Sequence, residues 1–262
     1  VTPEEIWAAL RLATPARLGL GRSGAALPTR ALLDFGIAHA QARDAVHSEL
    51  DWQRLDAELT ATTKLCTCRV ESAANDRATY LRRPDLGRQL APSSSELLAN
   101  LNPKGDADIV LVLGDGLSAA ALQNHAVAMV AEIEALLPTR LFRYAVMARH
   151  ARVALGDQIG SLLQARYVVV AIGERPGLSS PDSLGLYLTR APRPGRSDAE
   201  RNCLSNIHSQ GMPYATAAKK LAALIEGAER IGATGTRLKD ETDAQGMPAL
   251  GRQPAPQGLP KR

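Results

Sequence analysis

Apolar and polar positions alternate in two rhythms along this chain, and the change between them falls near residue 106. Before it the spacing is mainly helical. Residues Pro3–Leu12 follow Thr2, with Glu5 three positions on, the arrangement in which a threonine side chain and a glutamate side chain cap each other's backbone N–H groups. Pro28–Leu50 predicts a longer helix with Leu32, Leu33, Ile37 and Ala40 along one face. Leu65–Val70 and Ala78–Leu81, separated by polar Glu71–Asp76, predict a short hairpin.

After residue 106 strands and helices alternate. Asp108–Leu113 is a strand-type run ending in Gly114-Asp115-Gly116, and Ser118 is placed to cap a helix over Ala119–Leu136. Leu141–Met147 predicts a second strand, Gly156–Gln164 a helix, Tyr167–Ile172 a third strand ending at Gly173, and Tyr214–Ile231 a closing helix. Such alternation argues for an α/β fold with a parallel sheet covered by helices on both faces. The expected organisation is a helical region over residues 1–101, a sheet domain over 102–240 and a Gly/Pro/Gln-rich disordered tail over 241–262. No internal repeat is present.

Composition narrows the function classes. Of 262 residues, 45% are hydrophobic and 22% charged, ordinary globular usage. No apolar run approaches the roughly 20 residues of a membrane helix, and Val1–Leu10 carries two glutamates and no basic stretch, unlike a signal peptide. The formal net charge of +4 is carried by scattered arginine, and aromatics are only 3%, so no nucleic-acid patch is expected. Cys66, Cys68 and Cys203 are too few and too oddly spaced for a disulfide framework, which points to a reducing cytosol.

Candidate chemistry sits in two loops at the carboxyl ends of predicted strands, where open α/β sheets bind ligands. Gly114-Asp115-Gly116-Leu117-Ser118 puts glycines where backbone must come close to something, but lacks the G-x-G-x-x-G spacing of a dinucleotide fingerprint; a plain tight turn fits it equally well. The run from Gly173 through Glu174-Arg175-Pro176-Gly177 to Ser183 offers many polar groups in a fixed frame, or else a rigid crossover with Glu174 paired to an arginine. Asn206-x-His208-x-x-Gly211 partly matches the D-x-H-x-x-G pattern by which some corrinoid proteins ligate cobalt. Asparagine brings no negative charge to orient the ring, so a surface histidine is the expected role. Cys66-x-Cys68 is too tight for a metal pair and is expected to be core or half-buried. No metal site and no nucleophile–base–acid set can be assembled, so no catalytic residue is assigned.

Several blocks, in order, resemble one family. They are Gly21-Arg22-Ser23-Gly24, Thr29 through Leu33, Tyr80-Leu81-x-Arg83-Pro84-Asp85-x-Gly87-Arg88, Asp115 through Ser118, Arg152-Val153, Asp157 through Gly160, Gly173 through Leu178, and Ala199 through His208. Together they are similar to the small (light) subunit of adenosylcobalamin-dependent ethanolamine ammonia-lyase. The resemblance implies a Rossmann-like cofactor domain and an obligate large subunit, together forming a hetero-oligomer that converts ethanolamine to acetaldehyde and ammonia. It also implies adenosylcobalamin (cobalt-containing coenzyme B12) between the subunits, with cofactor contacts falling on Val153, Glu174 and Cys203, and dimethylbenzimidazole rather than His208 on the cobalt. No membrane or nucleic-acid partner is implied. Extensions before the first helix are associated in this family with packaging into a bacterial microcompartment; this sequence has almost none, and a cytoplasmic location is the expectation. Two rivals are a lone nucleotide-binding oxidoreductase, which the missing glycine fingerprint disfavours, and a pure assembly subunit without ligand contacts.

Overall fold

The computed structural model describes residues 2–14, 16–101, 107–138, 140 and 142–240; the expected tail over 241–262 lies outside them. Helix α1 (Pro3–Ala13) opens with the anticipated reciprocal cap, Thr2 N–H donating to Glu5 at 2.6 Å and Glu5 N–H to the Thr2 hydroxyl at 3.3 Å. Then come α2 (Thr29–His47), α3 (Trp52–Thr62), β1 (Cys66–Glu71), α4 (Arg77–Arg82), α5 (Pro92–Asn100) and β2 (Ile109–Gly114). The chain continues as α6 (Ala119–Leu136), β3 (Phe142–Arg149), α7 (Leu155–Leu162), β4 (Tyr167–Gly173), β5 (Leu184–Arg190), β6 (Asn202–Ile207) and α8 (Tyr214–Ile231).

The sheet has six strands in the order β1-β3-β2-β4-β5-β6. Strands β1 to β4 are parallel; β5 runs antiparallel to both β4 and β6. The sheet is therefore mixed, not wholly parallel, and its last two strands were absent from the alternation read along the sequence. The predicted hairpin is also corrected. Leu65–Val70 does form a strand, but β1 pairs with β3, and Ala78–Leu81 is part of α4 because Asp76 accepts Thr79 N–H at 2.7 Å and starts a helical turn there. Residues of β1, inside the expected N-terminal region, thus form one edge of the sheet.

Side-chain alternation along the central strands separates two cores. Ile109, Leu111, Leu113, Tyr167, Val169 and Ala171 pack with α3, α6 and α8. Val110, Val112, Val168, Val170 and Ile172 pack with α5 and α7 on the other face. Helices so cover both faces at the centre, as near-continuous apolar strands require. At the far edge the cover is one-sided: Leu204 and Ile207 of β6 join the α8 core, while Cys203 and Ser205, on either side of Leu204, are exposed. On the same side of β5, Gly185 and Thr189 are buried and Tyr187 is half-buried, so the open surface is confined to β6. A second uncovered surface lies on α2, where Leu32, Leu33 and Ile37 are 57%, 61% and 58% exposed.

Candidate functional site

Chain order and space order diverge at one point. After β2 the chain moves to β3 on one side, then crosses back to β4 on the other, so the loops after β2 and β4 diverge from a shared crevice, the usual ligand position in such sheets. These loops are the two glycine-bearing segments singled out above.

The glycines serve the loops' contact with each other. Gly116 has φ +57°, and a Cβ there would lie 2.1 Å from the Gly173 carbonyl oxygen; a Cβ on Gly173 would lie 2.0 Å from the Ser118 carbonyl oxygen. Leu117 N–H donates to Gly173 O at 2.9 Å, and the Ser118 hydroxyl, besides capping α6, donates to Pro181 O at 2.9 Å. Asp115 ties the same corner to β3, accepting from the backbone N–H groups of His150 and Ala151, each at 3.0 Å. Burial pushes the Asp115 carboxyl up, opposed by those two donors and by Arg77 at 3.8 Å. His150, held at φ +54°, donates from Nδ1 to Ala74 O at 2.9 Å.

Two adjoining cavities open onto this rim. One, of about 430 Å³, is walled by Gly116, Gly173, Glu174, Arg175 and Ile172 together with Tyr80. The other, of about 270 Å³, lies against Tyr187 of β5 and Cys203 of β6 and is also walled by Arg88 and Arg201. Arg152, Val153 and Tyr187 belong to both. The three residues picked out by resemblance therefore come together, Glu174 in the first cavity, Cys203 in the second and Val153 between them.

Glu174 is half-buried, and its Oε2 accepts Asn206 N–H at 3.0 Å, tying the β4 loop to the end of β6. Among the described residues it has no arginine partner; the backbone of Asn206 is its contact there. Cys203 faces Tyr187 across the β5–β6 ladder. Burial pushes the Tyr187 hydroxyl up. The start of β6 is clamped from beneath by Arg201, whose guanidinium reaches both Asp157 oxygens of α7 at 2.6 and 2.7 Å. His208 Nε2 lies 3.0 Å from Asn206 Oδ1 and 3.1 Å from Ser180 Oγ, so a half-buried ring is held within the loop cluster. Cys66 is exposed rather than in the core, whereas Cys68 is half-buried.

Tyr80, Arg152 and Tyr187 were not expected in the site. Tyr80 is fully buried, donates to Ala151 O at 2.9 Å and carries the Arg152 guanidinium 4.3 Å above its ring. Arg152 Nε is buried with no hydrogen-bond partner among the described residues. A tyrosine among polar Arg77 to Arg83 and an arginine before Val153 give a one-dimensional pattern no cue to this pairing. Among the described residues there is no cluster of three or more metal-ligating side chains, and no helix is long and apolar enough to cross a membrane.

Over residues 4–239 the chain matches the family described as ethanolamine ammonia-lyase light chain. It is 49% identical over 263 residues to the ethanolamine ammonia-lyase small subunit of Xanthomonas campestris pv. campestris, covering 99% of this chain and 95% of that one. The small subunit of Bradyrhizobium diazoefficiens is 55% identical over 236 residues (89% and 90%), and that of Rhodopseudomonas palustris 52% over 249 (94% and 95%).

Proposed function

The chain belongs to the ethanolamine ammonia-lyase light-chain family, and from that premise we propose that it forms one wall of an adenosylcobalamin site completed by the large subunit. One observation carries this reading: Val153, Glu174 and Cys203 line two joined cavities at the crevice where the parallel strands end. The chemistry of the wall fits a corrinoid. Val153 and Tyr187 offer apolar surface to the flat macrocycle, Glu174 offers a carboxylate to the amide N–H groups on its rim, and the exposed residues of β6 give it width. A corrinoid is larger than both cavities together, so the opposite wall must come from the partner.

The parallel half of the sheet, with its crossover between β2 and β4, supports a Rossmann-like reading of this domain. When bound, the cofactor supplies radical chemistry by homolysis of its cobalt–carbon bond, the hard step in deaminating ethanolamine to acetaldehyde. The residues of this chain orient the macrocycle and keep water from it. The exposed apolar side chains of α1 (Ile6, Trp7) and of α2 (Leu32, Leu33, Ile37) support docking onto the large subunit, because exposed apolar surface of this kind marks interfaces.

The test is co-expression with a large subunit and an ammonia-release assay on ethanolamine. Ammonia release that requires both chains and adenosylcobalamin is expected. A complex equally active without the cofactor, or a small subunit active alone, would overturn the reading.

A further inference from the structure

Arg152 and Arg88 both line the second cavity. Arg152 N–H donates to Gly87 O at 2.8 Å, and Gly87 lies so close to the Arg152 side chain that a Cβ there would meet its Cγ at 2.9 Å. The Leu86–Arg88 turn is thereby packed on Arg152, and Arg88 follows directly. The guanidinium of Arg152 rests on Tyr80, its Nε is unpartnered, and its other contact is a long 3.4 Å hydrogen bond to Tyr80 O. Arg88 is exposed, and nothing among the described residues pairs with it. Of the other charges here, Arg201 is neutralised by buried Asp157, and exposed Asp198, 3.3 Å from Arg201 Nε, leaves one negative charge against the two of Arg88 and Arg152.

Arg88, unpaired, and Arg152, whose terminal N–H groups make only the long bond to Tyr80 O, can together receive a multi-oxygen anion, because planar guanidinium forks match phosphate geometry. We infer that Arg88 and Arg152 form a subsite for the phosphodiester of the cobalamin nucleotide tail. This rests on the cofactor reading above, since the phosphodiester is the one anionic group on that molecule. It sits on the tail, away from the corrin rim that Glu174 would meet. Arg88 lines the cavity of Cys203 and not that of Glu174, while Arg152, like Val153, stands at the border of the two.

The test is equilibrium binding, followed by absorbance, to the two-subunit complex assembled without cofactor. Its probes are cyanocobalamin and dicyanocobinamide, a corrinoid that lacks the phosphodiester and nucleotide. Failure of the unmutated complex to bind cyanocobalamin would refute the cofactor reading itself. Given that binding, Arg88→Gln and Arg152→Gln should each weaken cyanocobalamin roughly tenfold while changing cobinamide less than about twofold, and Arg88→Lys should keep most of the affinity. Equal losses on both probes, or no loss on either, would overturn the subsite. Arg152 also packs on Tyr80, so if its variant does not assemble, the exposed Arg88 decides the question alone.

Discussion

Gly116 and Gly173 meet backbone to backbone at the crevice between β2 and β4, with no room for a single methyl group between them. At Gly116 the positive φ adds a second constraint, since L side chains pay for that conformation as well. Gly116→Ala should therefore cost about 3 kcal/mol or more in stability. Gly24, at φ +63° with nothing within 4 Å of a built Cβ, provides the control: Gly24→Ala carries the backbone strain alone, about 1–2 kcal/mol. Thermal denaturation of both variants separates steric clash from conformation. Equal losses would mean that the loops move apart at little cost.

The Arg201–Asp157 pair makes a different kind of demand. Both side chains are almost wholly buried, at 2% and 3% exposure. Removing one partner strands the other charge in the core. Asp157→Asn should cost about 3–5 kcal/mol, and replacing both residues with leucine and methionine should recover much of that loss. A double-mutant cycle on melting temperature measures the coupling. If the double variant is as unstable as the sum of the singles, the pair contributes by packing and not by charge.

The central sheet was legible in the sequence because Ile109–Gly114 and Tyr167–Gly173 are buried on both faces, so every residue had to be apolar or small. The outer strands were not. In β6 the residues facing away from α8 are Cys203 and Ser205, left open at the cavity, and in β1 Thr67 and Arg69 alternate with the cysteines. Half-covered edge strands carry a weak apolar signal, and β1 was paired in sequence with its nearest neighbour when its true partner lies more than seventy residues on. The site divides the same way. Its glycine loops could be placed from pattern, but Val153 and Cys203 came only through family resemblance. The Arg152–Tyr80 stack needed three-dimensional placement.

The two cysteines of β1 should react at different rates. Cys66 is exposed, whereas burial, reinforced by Cys66 nearby, pushes the Cys68 thiol up to about 11. At pH 8 only about a thousandth of Cys68 is then thiolate, the reactive form. Iodoacetamide labelling read by peptide mass spectrometry should modify Cys66 first, and raising the pH towards 11 should speed Cys68 steeply. Labelling of Cys68 at pH 8 as fast as Cys66 would contradict the burial.

Glu174 holds two duties that substitution can separate. Its Oε2 already accepts Asn206 N–H at 3.0 Å and so fixes the β4 loop against the end of β6, while the side chain as a whole lines the larger cavity. A charge-assisted hydrogen bond from a corrin amide would contribute about 1.5–3 kcal/mol, so Glu174→Ala should weaken cobalamin binding to the two-subunit complex by roughly 10- to 150-fold. The same variant leaves Asn206 N–H without its acceptor and should lower the melting temperature. Glu174→Gln keeps a carbonyl oxygen for Asn206, so stability should return nearly to wild type, while affinity recovers only in part because the acceptor no longer carries charge. A purely structural role predicts that only stability changes across the two variants, with affinity unaltered in the complex that still forms. Measuring both on the same preparations decides between them, and a Glu174→Ala complex that melts early yet binds cobalamin with unchanged affinity would remove Glu174 from the cofactor's contacts.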